Sequence, residues 1–113
     1  MKTLKSYTDI EQSKKLAEIL PLESADMNYW CGTQIRIGGY RTMDKDLDIP
    51  CWSLVALLDL CPTINGKQPI LTRGKLTSLW YCYYEDEIDT QTYDNPIDAC
   101  YEMITRLNEL NLL

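Results

Sequence analysis

Five cysteines are the strongest nucleophiles in the sequence, but the chain has no histidine to activate them. Ser-His and Cys-His nucleophiles both use an imidazole as general base, so neither arrangement is available. A thiol activated only by a helix N-terminus would still be possible, and Cys51 comes closest to that position. Because Cys51 also falls on the apolar stripe of the same predicted helix, we expect a structural role in the core.

The cysteines lack the spacing that metal sites and disulfide frameworks usually show. Their number is odd, no two are close enough for a CxxC pair, and each lies among apolar neighbours. We expect free, buried thiols in a reducing cytoplasm, with an intracellular disulfide or a redox-active thiol as the alternatives. The five residues are Cys31, Cys51, Cys61, Cys82 and Cys100.

One acidic segment imitates a calcium loop and fails at its defining positions. Asp44, Asp46 and Asp48 alternate as in an EF-hand. However, Ile49 stands where that loop needs glycine, and Val55 stands where it needs a bidentate glutamate. We therefore expect a solvated loop here, and no metal or cofactor. Other carboxylate pairs are plentiful, and the sequence leaves open whether any pair shares a cleft as an acid–base site.

The acids are concentrated toward the C-terminal end of the chain. The segment from Glu85 onward contains eight acidic residues and one basic residue, Arg106, so its net charge is −7. The first 84 residues carry a net charge of +1. The net charge of −6 disfavours direct nucleic-acid binding, which relies on cationic contacts to phosphate. The acidic turn after residue 84 also adjoins tyrosines, which suit protein interfaces because the ring is apolar and the hydroxyl can stay wet. The candidate binding residues are Tyr83, Tyr84, Glu85, Asp86, Glu87, Asp89 and Tyr93.

The first predicted element is a helix over residues 9–20. Thr8 and Glu11 have the spacing of a capping box, and Pro21 marks the end of the helix. Residues 27–43 then predict a hairpin. Its signals are an aromatic strand at 27–31, period-two alternation over 33–37, a Gly38-Gly39 turn and a returning segment at 40–42.

A second helix is predicted to begin at Pro50, which suits the first helical position, and to end before Pro62. Apolar residues nearly surround it, which indicates burial on most sides. Asn65-Gly66 and Arg73-Gly74 predict turns, with strands at 69–72, 79–84 and 88–93. The 79–84 strand is apolar on both faces, so we expect it to be central.

The last helix has the clearest signals. Asn95 is a good N-cap, Pro96 fits the first helical position, and Asp98 complements the helix dipole. The wheel places Glu102 on the polar side, so alanine there is expected to change stability by only a few tenths of a kcal/mol. The apolar stripe consists of Ile97, Cys100, Ile104, Leu107 and Leu110.

Together these elements predict an α+β fold, a mainly antiparallel sheet packed by helices in the order α-β-β-α-β-β-β-α. The 113 residues suit one domain over 1–113. No apolar signal segment follows the N-terminal lysines, and the most apolar run, residues 52–60, is about half a membrane span. We expect a cytoplasmic protein without membrane contact.

Three segments give the chain a family resemblance. They are EQSKKLAEILPLESAD from Glu11, IPCWSLVALLDLCP from Ile49, and the ending WYCYYEDE…YDNPIDACYEMITRLNELNLL from Trp80. In these segments the chain resembles a family of small uncharacterised proteins from gut-type bacteria and their phages or mobile elements. The resemblance implies a cytoplasmic, phage-linked accessory protein.

Two functional hypotheses follow from these observations. In the first, a non-enzymatic accessory protein binds an unknown protein partner through the acidic, tyrosine-bearing region, with a homo-oligomer as a further possibility. In the second, a small-molecule-binding domain or weak enzyme uses an aromatic-lined pocket between helix and sheet. A flat apolar patch rimmed by acids would favour the first, and a deep pocket with converging polar groups the second.

Overall fold

A computed structural model describes residues 5–30, 34–37 and 48–113. The predicted Gly38-Gly39 turn, the returning segment at 40–42, Cys31, and the aspartates at 44 and 46 lie outside these residues.

The predicted α+β class is confirmed: the described residues form three α-helices and two antiparallel three-stranded sheets. One sheet has the order β2-β1-β3 and the other β4-β5-β6. No helix among the described residues is long and apolar enough to cross a membrane. In chain order the elements are α1 (Ile10–Ala17), a 3-10 helix (Leu22–Ser24), β1 (Met27–Trp30), β2 (Gln34–Ile37), β3 (Ile49–Cys51), α2 (Leu54–Leu60), β4 (Ile70–Arg73), β5 (Trp80–Tyr84), β6 (Ile88–Asp89) and α3 (Pro96–Glu109).

The start of α1 differs by one residue from the prediction, because Thr8 is used elsewhere. Asp9 is the N-cap and forms the capping box with Gln12, and the helix ends at Ala17. Thr8 is fully buried, and its Oγ1 lies 2.8 Å from Oγ of Ser13 and accepts from the backbone N–H of Trp52 at 3.1 Å. Thr8 therefore fixes the N-terminal segment to the chain after β3.

The predicted helical start at Pro50 is wrong, since residues 49–51 form the additional strand β3. Pro50 pairs opposite Asn28 at the edge of the first sheet, where a residue without an N–H is tolerated. α2 begins only at Leu54, with Ser53 as N-cap accepting from Ala56 N at 3.2 Å. The shorter helix also leaves Val55 75% exposed, contrary to the predicted burial on most sides.

α3 begins as predicted, with Asn95 as N-cap and Pro96 in the first turn. Its apolar stripe is buried except for Leu110, which is 55% exposed beyond the last helical turn. This stripe packs against β5 and α2, and the core lies between them. β5 is the centre of its sheet, as expected, with β4 and β6 antiparallel on either side.

Candidate protein-interaction face

The two faces of β5 are set by the period of two along the strand. Cys82 and Tyr84 are buried against the core, which also contains α3. Tyr81 and Tyr83 have the opposite parity and lie on the other face. Their rings stack with centroids 5.6 Å apart and an interplanar angle of 25°. The sequence therefore places a pair of aromatic rings on the side of the sheet away from the core.

The neighbouring strands extend this surface. In the antiparallel register, Thr72 lies opposite Tyr81, and Ile70 lies opposite Tyr83 on β4. Asp89 of β6 lies opposite Tyr83 on the other side. Residues directly opposite each other point to the same face. We define the outer sheet face as Ile70, Thr72, Tyr81, Tyr83 and Asp89.

The outer sheet face is apolar at its centre and remains accessible. Ile70 is 39% exposed, and both tyrosines are half-buried without belonging to the core. Leu71, which points the other way opposite Cys82, does pack on the core. The tyrosine rings therefore cover one another and the sheet while keeping part of their surface in water.

The acidic turn, residues 85–87, closes the β5–β6 hairpin at one end of this face. Glu87 N–H donates to the Tyr84 carbonyl at 3.0 Å, and Asp86 occupies the left-handed region with φ of 59°. Asp is one of the few non-glycine residues that enter this region readily. Glu85, Asp86 and Asp89 are exposed, so their charges face solvent.

Glu87 has a structural role that the sequence did not indicate. Its Oε1 accepts from Nδ2 of Asn65 at 2.9 Å and lies 3.9 Å from Nζ of Lys67. The same lysine donates to the Glu85 carbonyl at 2.7 Å. These contacts join the acidic turn to the predicted Asn65-Gly66 turn, in which both residues have positive φ, 49° and 77°.

Two of the predicted binding tyrosines do not contribute to this surface in the expected way. Tyr84 is buried in the core, and its hydroxyl donates to the Pro62 carbonyl at 2.7 Å. Burial, together with nearby Cys61, raises the Tyr84 pKa well above its usual value of 10.0. Tyr84 therefore holds the segment after α2 against the sheet and does not lie on the outer sheet face.

Tyr93 is half-buried and also packs on the core. Its backbone exchanges two hydrogen bonds with Trp80, at 2.6 and 2.8 Å, and its hydroxyl donates to Glu102 at 2.6 Å. Burial and this contact with a carboxylate raise the Tyr93 pKa to about 12. Tyr93 thus anchors the connection to α3, away from the Tyr81–Tyr83 stack.

The sequence-based selection missed Tyr81, Ile70 and Thr72. The parity of β5 was available as a signal, since Tyr81 and Tyr83 are two residues apart while Tyr84 must point to the opposite face. The participation of β4 was not available, because only the strand register places Ile70 and Thr72 beside the tyrosines. Of the predicted set, Tyr83, Glu85, Asp86 and Asp89 remain on or beside the outer sheet face.

The described cysteines are buried, and one of them, Cys82, has a pKa that is lowered by its contact with Cys100. Cys51, Cys61, Cys82 and Cys100 are free and buried, as predicted. Burial raises the pKa of Cys51, despite hydrogen bonding to Thr8, and raises that of Cys61 to about 12. Contact with Cys82 and burial raise the pKa of Cys100 as well. Within the described ranges, no group of three or more metal-ligating side chains is suitably placed to hold an ion.

A cavity of about 400 Å³ lies between the 3-10 helix and α2. Val55 and Leu60 contribute apolar surface, whereas Glu23, Asp26 and Asp59 contribute carboxylates. Its lining includes no tryptophan or tyrosine, so it differs from the aromatic pocket of the second hypothesis. Asp26 already accepts hydrogen bonds from the N–H and Oγ of Ser53, which strengthens the cap of α2.

No protein-family model, curated protein or solved structure matches this chain.

Proposed function

We propose that this chain is a non-enzymatic accessory protein that binds a basic protein partner through the outer sheet face and the acidic turn. The observation that carries the proposal is the stacked pair Tyr81 and Tyr83, which lies outside the core with exposed acids at one end. An exposed apolar face with acids at one end is the kind of surface expected of a protein that acts by contact with a partner.

The chemistry of the face favours a partner rich in lysine and arginine. Tyrosine rings attract cations through their π-electron faces, and carboxylates nearby add charge-assisted hydrogen bonds. Glu85, Asp86 and Asp89 are exposed and take no part in the ion pairs found among the described residues, so a partner could contact them without breaking those pairs. The acids would speed encounter through their field, and the tyrosines would provide the buried contact area.

The alternative of a small-molecule-binding domain or weak enzyme has less support. That hypothesis predicts an aromatic-lined pocket, whereas the cavity beside α2, within the part of the chain that the structure describes, has apolar and carboxylate walls. Burial raises the pKa values of Cys51 and Cys61 away from the range of an activated nucleophile, and Cys82, whose pKa is lowered by contact with Cys100, is fully buried from solvent. We retain the contact hypothesis as the function that the geometry supports best.

The proposal places this protein in the cytoplasm, linked to a phage or mobile element. The free buried cysteines are in keeping with a reducing compartment. The family resemblance of the three sequence segments supplies the link to phages or mobile elements. A cytoplasmic host or phage protein with a basic surface would then be the partner.

The test compares three forms of the protein as bait in extracts of its native cell. The first is the wild type. The second carries Glu85→Gln, Asp86→Asn and Asp89→Asn, and leaves Glu87 in place because it is bound to Asn65 and Lys67. The third carries Glu11→Gln, Glu18→Gln and Glu23→Gln, which remove the same charge from the opposite part of the sequence.

We expect one basic protein to be retained by the wild type and by the control variant, and lost from the outer-face variant. With that partner purified, association should slow in the outer-face variant and lose most of its salt dependence, because the steering charges are screened over about 8 Å. Equal binding by all three forms, with unchanged rates and salt dependence, would mean that the acids only keep the protein soluble.

A further inference from the structure

β4 is an edge strand whose outer side has no pairing partner among the described residues. It pairs with β5 on one side over four residues without a bulge, from Ile70 to Arg73. An unpaired strand edge presents backbone N–H and C=O groups that can bind another strand.

The available groups can be identified from the hydrogen bonds at the end of the strand. Gly74 N–H donates to the Leu79 carbonyl at 2.8 Å, so the backbone groups of Gly74 face β5. Because backbone direction alternates along an antiparallel strand, the groups of Thr72 also face β5. Those of Leu71 and Arg73 therefore point outward. The hydrogen bonds of β5 agree with this assignment, because Trp80 and Cys82 bond to Tyr93 and Thr90 on the side of β5 away from β4.

Exposed apolar side chains lie on this strand and just beyond its end. Ile70 is 39% exposed, and Leu76, in the connection that follows β4, is 99% exposed. Exposed aliphatic side chains beside an unpaired strand are features that proteins usually suppress unless a partner covers them.

We propose that β4 pairs antiparallel with β4 of a second copy of this chain, around a two-fold axis at Thr72. In this register Leu71 lies opposite Arg73 of the second copy, and Arg73 lies opposite its Leu71. In each of the two Leu71–Arg73 pairs, the two residues donate to and accept from one another, so the interface has four backbone hydrogen bonds in all. The strand is therefore complementary to itself, as a two-fold interface requires.

Neighbouring symmetric registers use the strand less well. An axis at Leu71 would place Pro69 opposite Arg73, and proline has no N–H to donate. An axis at Arg73 would place Leu71 opposite Lys75, which lies in the turn beyond the strand. The Thr72 register alone of these three is confined to the residues of β4.

The charges along the edge favour the same arrangement. Arg73 and Lys75 lie at one end of β4, and the acidic turn lies at the other end, beyond the Ile70–Tyr83 pair. Antiparallel pairing brings the basic end of each copy toward the acidic end of the other. The separation is about two strand spacings, roughly 10 Å, which long side chains can reach. At physiological salt the general repulsion between two chains of charge −6 is screened over about 8 Å.

The resulting assembly is one continuous six-stranded sheet. Strand order across it would be β6-β5-β4 followed by β4-β5-β6 of the second copy. Both outer sheet faces would lie on the same side, because side chains opposite each other share a face. The dimer would thus present two Tyr81–Tyr83 stacks together, whether or not the proposed basic partner exists.

The experiment introduces a charged side chain at Thr72, on the proposed two-fold axis. Thr72→Lys and Thr72→Glu each put two like charges directly opposite each other, which is unfavourable for strand pairing. The wild type should show concentration-dependent doubling of mass in sedimentation at 0.15 M salt, up to about 1 mM. Each variant alone should remain monomeric, and an equimolar mixture should recover the dimer. Thr92→Lys, at an exposed threonine beyond β6, should leave dimerisation unchanged.

A monomeric wild type over the whole concentration range would overturn the proposal, and so would dimerisation of both Thr72 variants alone. If a charged variant does not fold by circular dichroism, Thr72→Cys in a Cys31→Ser background replaces it. Oxidised glutathione should then cross-link the cysteines of two chains, since opposed non-hydrogen-bonded residues lie about 4.5 Å apart between Cα atoms. Thr92→Cys serves as its control, and equal cross-linking of both variants would also contradict the Thr72 axis.

Discussion

The hydroxyl of Tyr93 donates a hydrogen bond of 2.6 Å to Oε1 of Glu102 on α3. The same carboxylate oxygen accepts from the backbone N–H of Gln91 at 3.0 Å, and Oε2 pairs with Nε of Arg106. The contacts from Tyr93 and Arg106 hold the Glu102 pKa below its usual value although partial burial acts in the opposite direction. Glu102 therefore fixes the connection between β6 and α3.

This arrangement replaces the expectation that Glu102→Ala is nearly neutral. We predict that it lowers the free energy of unfolding by about 1–2 kcal/mol, because a charged acceptor with two hydrogen bonds to the connection is lost. Glu102→Gln keeps an acceptor for Tyr93 and Gln91, and should cost less than about 1 kcal/mol, since exposed ion pairs contribute little. Urea unfolding checks both values. Glu109→Ala, at an exposed position on the same helix, should stay within about 0.5 kcal/mol.

A second prediction concerns acid stability through Asp98. Lys5 Nζ lies 3.0 Å from Oδ1 of Asp98 and 2.9 Å from Asp9, and Gln12 donates to the same Asp98 oxygen at 2.7 Å. Burial opposes ionisation of Asp98, but hydrogen bonds from Asn95, Lys5 and Gln12 outweigh it and hold the pKa below 3.8. This contribution to stability is present above pH 3.8 and is lost as pH falls through the lower folded-state pKa.

Asp98→Asn should therefore destabilise the protein by about 1 kcal/mol at pH 6, and by less at a pH below the unfolded value of 3.8. Urea unfolding at the two pH values measures the difference. Lys5→Gln should reduce the same pH dependence, because it removes the cation that Asp98 faces. A cost of Asp98→Asn that is the same at both pH values would show that its charge plays no part.

Sequence signals were sufficient where they were local. Asn95 and Pro96 set the start of α3 through backbone chemistry within one turn. Pro50 carries an equally valid local signal, but it lies in β3, because the edge of the first sheet accepts a residue without an N–H. Ser53, held by Asp26 across 27 positions of sequence, supplies the actual cap of α2.

The candidate site was predictable to a similar extent. The acids after Tyr84 and the presence of surface tyrosines followed from composition and turn chemistry. Which tyrosines face outward depends on which face α3 covers, and that is a tertiary contact. For the same reason Tyr84, although adjacent to the acidic turn, is committed to the core through Pro62.

A third prediction concerns the thiols. The four described cysteines are buried, so a reagent should not reach them in the folded protein, and burial also raises the pKa of Cys61 to about 12. In a Cys31→Ser variant, labelling by a disulfide reagent should be on the order of 10³-fold slower in the folded protein than in urea, because a buried thiol reacts only after the protein opens around it. Rapid reaction of one thiol in the folded protein would contradict this prediction and support the redox-active alternative.

The last prediction separates the geometry of the acidic turn from its charge. Asp86 has φ of 59°, and its side chain is exposed. Glycine enters this region without a steric penalty, so Asp86→Gly should leave the melting temperature nearly unchanged while removing one negative charge. Asp86→Val removes the same charge, but a β-branched residue is strained there, and we expect a loss of about 1–2 kcal/mol. Glu85→Val, at a neighbouring exposed position without positive φ, is the matched control and should cost much less. Thermal unfolding of the three variants gives the comparison.

If both valine variants cost the same, the backbone at Asp86 imposes no constraint. If Asp86→Gly is as damaging as Asp86→Val, then the Asp86 side chain itself stabilises the hairpin and its charge is not free for a partner.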